Sequence, residues 1–106
     1  MKTTLTLLLA TFLAAVTVLA ADRFPATRKL IRSQGCLACH RLEGKGGDGA
    51  APLDEVGARL TPQQLREILE KGKNSPTEPY MPSFSHLLEQ DLEHLVAFLA
   101  GLKPKP

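Results

Sequence analysis

Cys36-Leu37-Ala38-Cys39-His40 constrains this chain more than any other feature of its sequence. The two cysteines are the only ones in 106 residues, and they stand three positions apart, so no disulfide can staple distant segments together. Little else is available to build a core. Beyond an apolar leader over residues 1–21, the remaining 85 residues form one small domain, a size at which side-chain burial alone leaves stability marginal. That stretch holds four aromatics, Phe24, Tyr80, Phe84 and Phe98, and no tryptophan. Something other than side chains is expected to fill the centre. The size also excludes a doubly wound nucleotide-binding fold or a barrel enzyme.

C-x-x-C-H is the attachment signature of haem c. Two thiols at this separation can each add to one vinyl group of the macrocycle, which places the next residue, His40, beneath the iron. Three other readings compete. A redox dithiol calls for a thioredoxin-like sheet, and no segment reads as a strand with period-two alternation. A zinc site needs four ligands, and the only further histidines are His86 and His94, on or near one late helix. A short-loop disulfide would constrain little.

The leader begins with Lys2, stays uncharged over the 19 residues 3–21, and ends in Ala20 and Ala21 just before Asp22. A cation, an apolar run and small closing residues are what signal peptidase recognises, so residues 1–21 read as an export signal and 22–106 as the mature domain, in the periplasm. The alternative is a retained helix, long enough to span a bilayer and to anchor the domain facing the periplasm. The mature part carries 12 basic and 11 acidic residues. This near balance excludes a nucleic-acid binder that relies on a large basic excess.

Three helices are expected. The first covers residues 26–34, with Leu30 and Ile31 on one side and Gly35 ending it. The second opens at Thr61-Pro62-Gln63-Gln64, where Thr61 suits the N-cap, Pro62 the first position and Gln64 a capping box, and Gly72 stops it. The third covers residues 90–100, with Leu92, Leu95, Val96 and Leu99 at helical spacing. Two long loops separate them, one rich in glycine and one in proline. In the first, Gly44-Lys45-Gly46-Gly47-Asp48-Gly49 matches a dinucleotide-binding fingerprint, but that motif works only between a strand and a helix, and Pro52 follows here. The glycines instead predict a backbone that passes close to something bulky.

Haem iron in a pure electron carrier takes a sixth ligand, and Met81 is the only methionine beyond the leader. It lies in Tyr80-Met81-Pro82-Ser83-Phe84, between prolines and off any helical apolar face, where a packing role explains it poorly. His86 is the rival ligand.

These segments together resemble the class I c-type cytochromes, specifically the small bacterial single-haem ones. The likeness rests on Gly35-Cys36, Cys39-His40, Ala51-Pro52-Leu53, Val56-Gly57-Ala58-Arg59, Met81-Pro82, Phe84 and Leu95-Val96-Ala97-Phe98-Leu99. It implies an all-α cytochrome c fold, with three main helices around one haem c held covalently by Cys36 and Cys39. It further implies His40 and Met81 on the iron, the Pro52 carbonyl accepting the His40 ring N–H, and Arg59 near a haem propionate. Thr27 and Ile31 stand where the family has a glycine and an aromatic, which predicts a shifted or looser crossing with Phe98. The 52–56 loop is one residue short, beside Leu53. The implied function is single-electron transfer between redox proteins, not an enzyme activity; the rival is a haem sensor or catalytic subunit with an open iron position.

Overall fold

The computed structural model describes residues 24–76 and 80–106, so the expected export segment lies outside the described residues. Helix α1 (Pro25–Ser33) begins on a proline in its first turn and is followed by Gly35, whose φ of 79° turns the chain out of helical geometry. A 3-10 turn (Cys36–Ala38) comes next. Then β1 (Arg41–Leu42) and β2 (Lys45–Gly46) pair antiparallel. Helix α2 (Val56–Arg59) is a single turn, α3 (Pro62–Lys71) follows, and α4 (Glu89–Ala100) closes the fold.

The structure thus has four helices and a small sheet among the described residues, where three helices and no strand were expected. The hairpin escaped detection because two residues per strand are too few to show an alternating pattern. Its turn is visible only in backbone angles: Glu43 at φ 52° and Gly44 at φ 79° supply the two left-handed residues that a tight hairpin requires.

Helix α3 starts as its sequence dictates. The Gln64 backbone N–H donates to Thr61 Oγ1 at 3.2 Å, and the Thr61 N–H donates to Gln64 Oε1 at 2.9 Å. This capping box satisfies two donors that a helix start otherwise leaves unpaired, a contribution of about 1 kcal/mol for the Thr61 side chain. Leu65 and Leu69, four apart, form its buried stripe.

Helix α4 is the central support, because α1, α2 and α3 all pack on it. It buries Leu92, Leu95, Phe98 and Leu99. The crossing with α1 is tight rather than loose: Thr27 and Ile31 are buried, and Phe24 meets the Phe98 ring edge-to-face at 5.5 Å between centroids. At Gly57 the backbone of α2 closes on the end of α4. A Cβ there would lie 2.2 Å from the Ala100 carbonyl oxygen, and the Gly57 N–H donates to Leu102 O at 2.9 Å.

Arg28 ties α1 to the hairpin. Its guanidinium lies 5.1 Å from the Phe98 ring centroid and donates to both Glu43 carboxylate oxygens, at 3.0 and 2.9 Å. The hydrogen bond to Arg28 holds the Glu43 carboxyl below its ordinary range and, with the neighbouring charge, raises Arg28. A depressed carboxylate stabilises the fold fully above its unfolded pKa of about 4.3, and the contribution disappears as pH falls through the lower folded value. Both groups are solvent-accessible, so Glu43→Gln should cost less than about 1 kcal/mol at neutral pH. It should also flatten part of the acid-side loss of Tm; equal acid slopes in thermal melts of both proteins would contradict this role.

Candidate haem-binding site

Gly35 ends α1 and delivers the chain directly into the attachment turn. The Ala38 N–H donates to Gly35 O at 3.0 Å and the His40 N–H to Cys36 O at 2.9 Å, so the pentapeptide is wound into a compact turn. This places both cysteines and the histidine along one cleft. Cys36 is half-buried, Cys39 is exposed, and both are free thiols. Burial pushes the Cys36 thiol up, which keeps it neutral at physiological pH.

The glycine loop passes close to something bulky, and that something is the attachment turn itself. A Cβ at Gly46 would lie 2.2 Å from His40 O, and one at Gly47 would lie 2.5 Å from Ala38 O. Both are main-chain atoms, so a side chain at either position would have to displace the backbone of the motif itself. The Gly47 N–H donates to Leu37 O and the Ala50 N–H to Cys39 O, each at 3.0 Å, so the loop braces the segment that carries the thiols.

His40 Nδ1 lies 2.6 Å from the Ala51 carbonyl oxygen. A carbonyl only accepts, so Nδ1 carries the proton and donates it, leaving the Nε2 lone pair free for a metal. The expected partner was Pro52, one residue later; the Pro52 carbonyl instead accepts from Arg59 Nη2 at 3.0 Å. Ala51 precedes a proline and is thereby restricted towards extended geometry. Successive carbonyls of an extended chain face opposite sides, so only one of the two can face His40. The Leu53 N–H, bound to Arg41 O at 2.8 Å, holds the next peptide in place.

The cleft has a volume of about 500 Å³, within the range of small-molecule and cofactor sites. Its walls are apolar, with Leu53, Leu65, Ile68, Phe84 and Leu99 prominent. Cys36, Cys39, His40, Arg59 and Met81 all line it, and Pro52 does not. Leu53 is buried in the wall despite the shortened loop beside it. His86 lies outside the lining, with its Nε2 3.2 Å from Gln34 Oε1, and His94 is exposed on α4. Of the cations flanking the motif, Arg41 is paired with Asp48 at 2.6 Å.

Met81 is held from the helix before it. Lys73 and Met81 exchange both backbone hydrogen bonds at 2.9 Å, and the Phe84 N–H donates to Leu69 O at 2.7 Å. The sequence marks Gly72 only as a helix stop; its contact with the Met81 segment, like that of Ser83, has no sequence signal.

The donor set fits a covalently held haem. Two unpaired thiols sit on one turn, a histidine has its far nitrogen freed by a backbone acceptor, and a methionine lines the same apolar cleft. A zinc site fits less well: among the described residues no group of three or more His, Cys, Asp or Glu is placed to hold a metal ion. A thioredoxin-like dithiol also lacks its frame, since the one sheet of the described residues has two strands of two residues each.

Residues 24–99 match the family described as cytochrome C oxidase, cbb3-type, subunit III. The cbb3-type cytochrome c oxidase subunit CcoP of Helicobacter pylori (strain 52) is 35% identical over 80 residues, covering 73% of this chain and 27% of that protein. The chain therefore spans about a quarter of the length of this curated relative. The crystal structure of SoxXA from P. pantotrophus superposes with a TM-score of 0.58 at 29% identity, over 67% of this chain and 72% of that one. The fold and the site define a class I c-type cytochrome. The chain belongs to the cytochrome c family of the cbb3-type oxidase subunit III. It is accordingly a haem-binding electron-transfer protein, and the family implies haem c.

Proposed function

We propose that this chain is a periplasmic carrier of single electrons, with one haem c bound through Cys36 and Cys39 and ligated by His40 and Met81. When bound, the haem supplies an iron centre that cycles between two oxidation states one electron apart. The chain's own residues do the rest. Cys36 and Cys39 fix the ring to the attachment turn. The Ala51 carbonyl holds the His40 tautomer, with Nε2 left as the nitrogen that would bind iron. Leu53, Leu65 and Phe84 exclude water from the cleft, which favours the less charged reduced state.

The observation that carries this reading is the single cleft shared by Met81 and a His40 whose Nδ1–H is already committed to a backbone oxygen. With His40 and Met81 both holding the iron, no coordination site would be left for a substrate, which supports a carrier rather than an enzyme. Arg59 lines the same cleft while holding the Pro52 carbonyl, which supports a role for it beside a haem propionate.

The partners on this reading are redox proteins, a role supported by the likeness to an oxidase subunit and to SoxXA. Export through residues 1–21 places the domain in the periplasm, soluble after cleavage or anchored if that segment is retained. No helix among the described residues is long and apolar enough to cross a membrane. Intact mass of the matured protein under denaturing conditions tests the attachment. One haem should remain bound after acid and organic solvent, and Cys36→Ala with Cys39→Ala should release it. A mass equal to the bare polypeptide would overturn the proposal.

A further inference from the structure

We infer that the C-terminal end of α3 is a clamp for the sixth ligand, with Gly72 and Ser83 as positioning residues for Met81. The inference rests on the ligation proposed above and concerns what sets it.

A helix end leaves carbonyls without partners inside the helix. Here the Met81 segment satisfies them. Leu69 O accepts from the Phe84 N–H at 2.7 Å, and Glu70 O accepts from the Ser83 hydroxyl. That hydroxyl in turn accepts from the Ser85 N–H at 3.2 Å, so it is fixed from both sides. One residue beyond Gly72, Lys73 exchanges two backbone hydrogen bonds with Met81 itself. The ties at positions 81, 83 and 84 thus hold the methionine's own backbone and the segment that follows it, and all of them end on α3 or on the residues directly after it.

Gly72 lets the two segments touch. Its φ of 71° is left-handed, and a Cβ there would lie 2.5 Å from Met81 O, 2.9 Å from Pro82 C and 2.9 Å from Ser83 N. All three are backbone atoms, so a side chain at position 72 pushes the whole Met81 segment outward instead of displacing a flexible tip. The chain therefore fixes the backbone that carries the Met81 thioether before any iron–sulfur bond would form. A sixth ligand placed in advance competes better with exogenous ligands, because less ordering remains to be done when it binds.

The test titrates imidazole into the ferric holoprotein at a fixed temperature well below every variant's Tm, with the far-red absorption band as second readout. Ser83→Ala, which removes the tie to Glu70 O together with the hydroxyl's contacts with Ser85, should tighten imidazole binding about threefold to tenfold. Gly72→Ala should tighten it further and weaken the far-red band. Ile31→Val, in the α1–α4 contact and outside the cleft lining, should lower Tm yet bind imidazole as wild type does. Met81→Ala sets the upper limit. Wild-type affinity in Ser83→Ala and Gly72→Ala, with tight binding in Met81→Ala, would overturn the clamp alone. So would an Ile31→Val shift equal to that of Ser83→Ala. If Met81→Ala itself binds imidazole no tighter than wild type, the ligation reading fails and the clamp falls with it. Should Gly72→Ala not fold, Ser83→Ala decides the question.

Discussion

A protein in which Cys36→Ala and Cys39→Ala prevent attachment should lose its cooperative unfolding transition altogether. The helices have 9, 4, 10 and 12 residues, lengths at which isolated helices are marginal in water. They must gain their stability from packing, yet Leu53, Leu65, Phe84 and Leu99 turn part of their surface towards a cleft of about 500 Å³. A haem-free chain would have to collapse that cleft or hydrate it. Collapse is resisted by the glycine-loop bracing and by the close approach of Gly57 to Ala100, which fix the walls apart. Each Å² of apolar lining left hydrated forfeits roughly 25 cal/mol, and a domain this small has only a narrow reserve of stability to lose. Thermal melts followed by far-ultraviolet circular dichroism check this. A sharp transition in the haem-free variant would contradict it.

Met81→Ala should act quite differently, leaving the fold and the attachment in place while changing the redox chemistry. Its side chain is half-buried at the cleft, and the thiols and His40 do not depend on it. A thioether is a soft ligand that favours reduced iron, so its loss should lower the reduction potential by something on the order of 100 mV, within the roughly 0.8 V that axial ligands control. The open position should then accept carbon monoxide or cyanide. An unchanged potential with unchanged resistance to carbon monoxide would move the assignment to His86. That residue would need to break its contact with Gln34 and enter a cleft it does not line.

The parts of this molecule that can be read from sequence are those where chemistry is local. The attachment motif needs two thiols and an imidazole at fixed spacing, and the structure brings Cys36, Cys39 and His40 to one cleft with Met81. The α3 start follows from Thr61, Pro62 and Gln64 alone. What could not be read depends on backbone direction. Every residue has a carbonyl, so nothing in Ala51-Pro52 says which oxygen turns to His40. The hairpin rests on the φ of Glu43, a residue with no special preference for left-handed geometry. The α1–α4 crossing reads as loosened by Thr27 and Ile31, but Phe24, Phe98 and Arg28 close it through contacts far apart in sequence. Gly72 illustrates the same limit: a helix-stopping glycine and a glycine wedged against Met81 look identical in one dimension.

The most direct measurement is the visible spectrum of the matured protein, oxidised and reduced, alongside Met81→Ala. Ligation by His40 and Met81 predicts a weak far-red band in the oxidised wild type, absent from Met81→Ala, and sharp reduced bands of a six-coordinate haem c. A colourless matured protein, or a far-red band that survives Met81→Ala, would contradict the account.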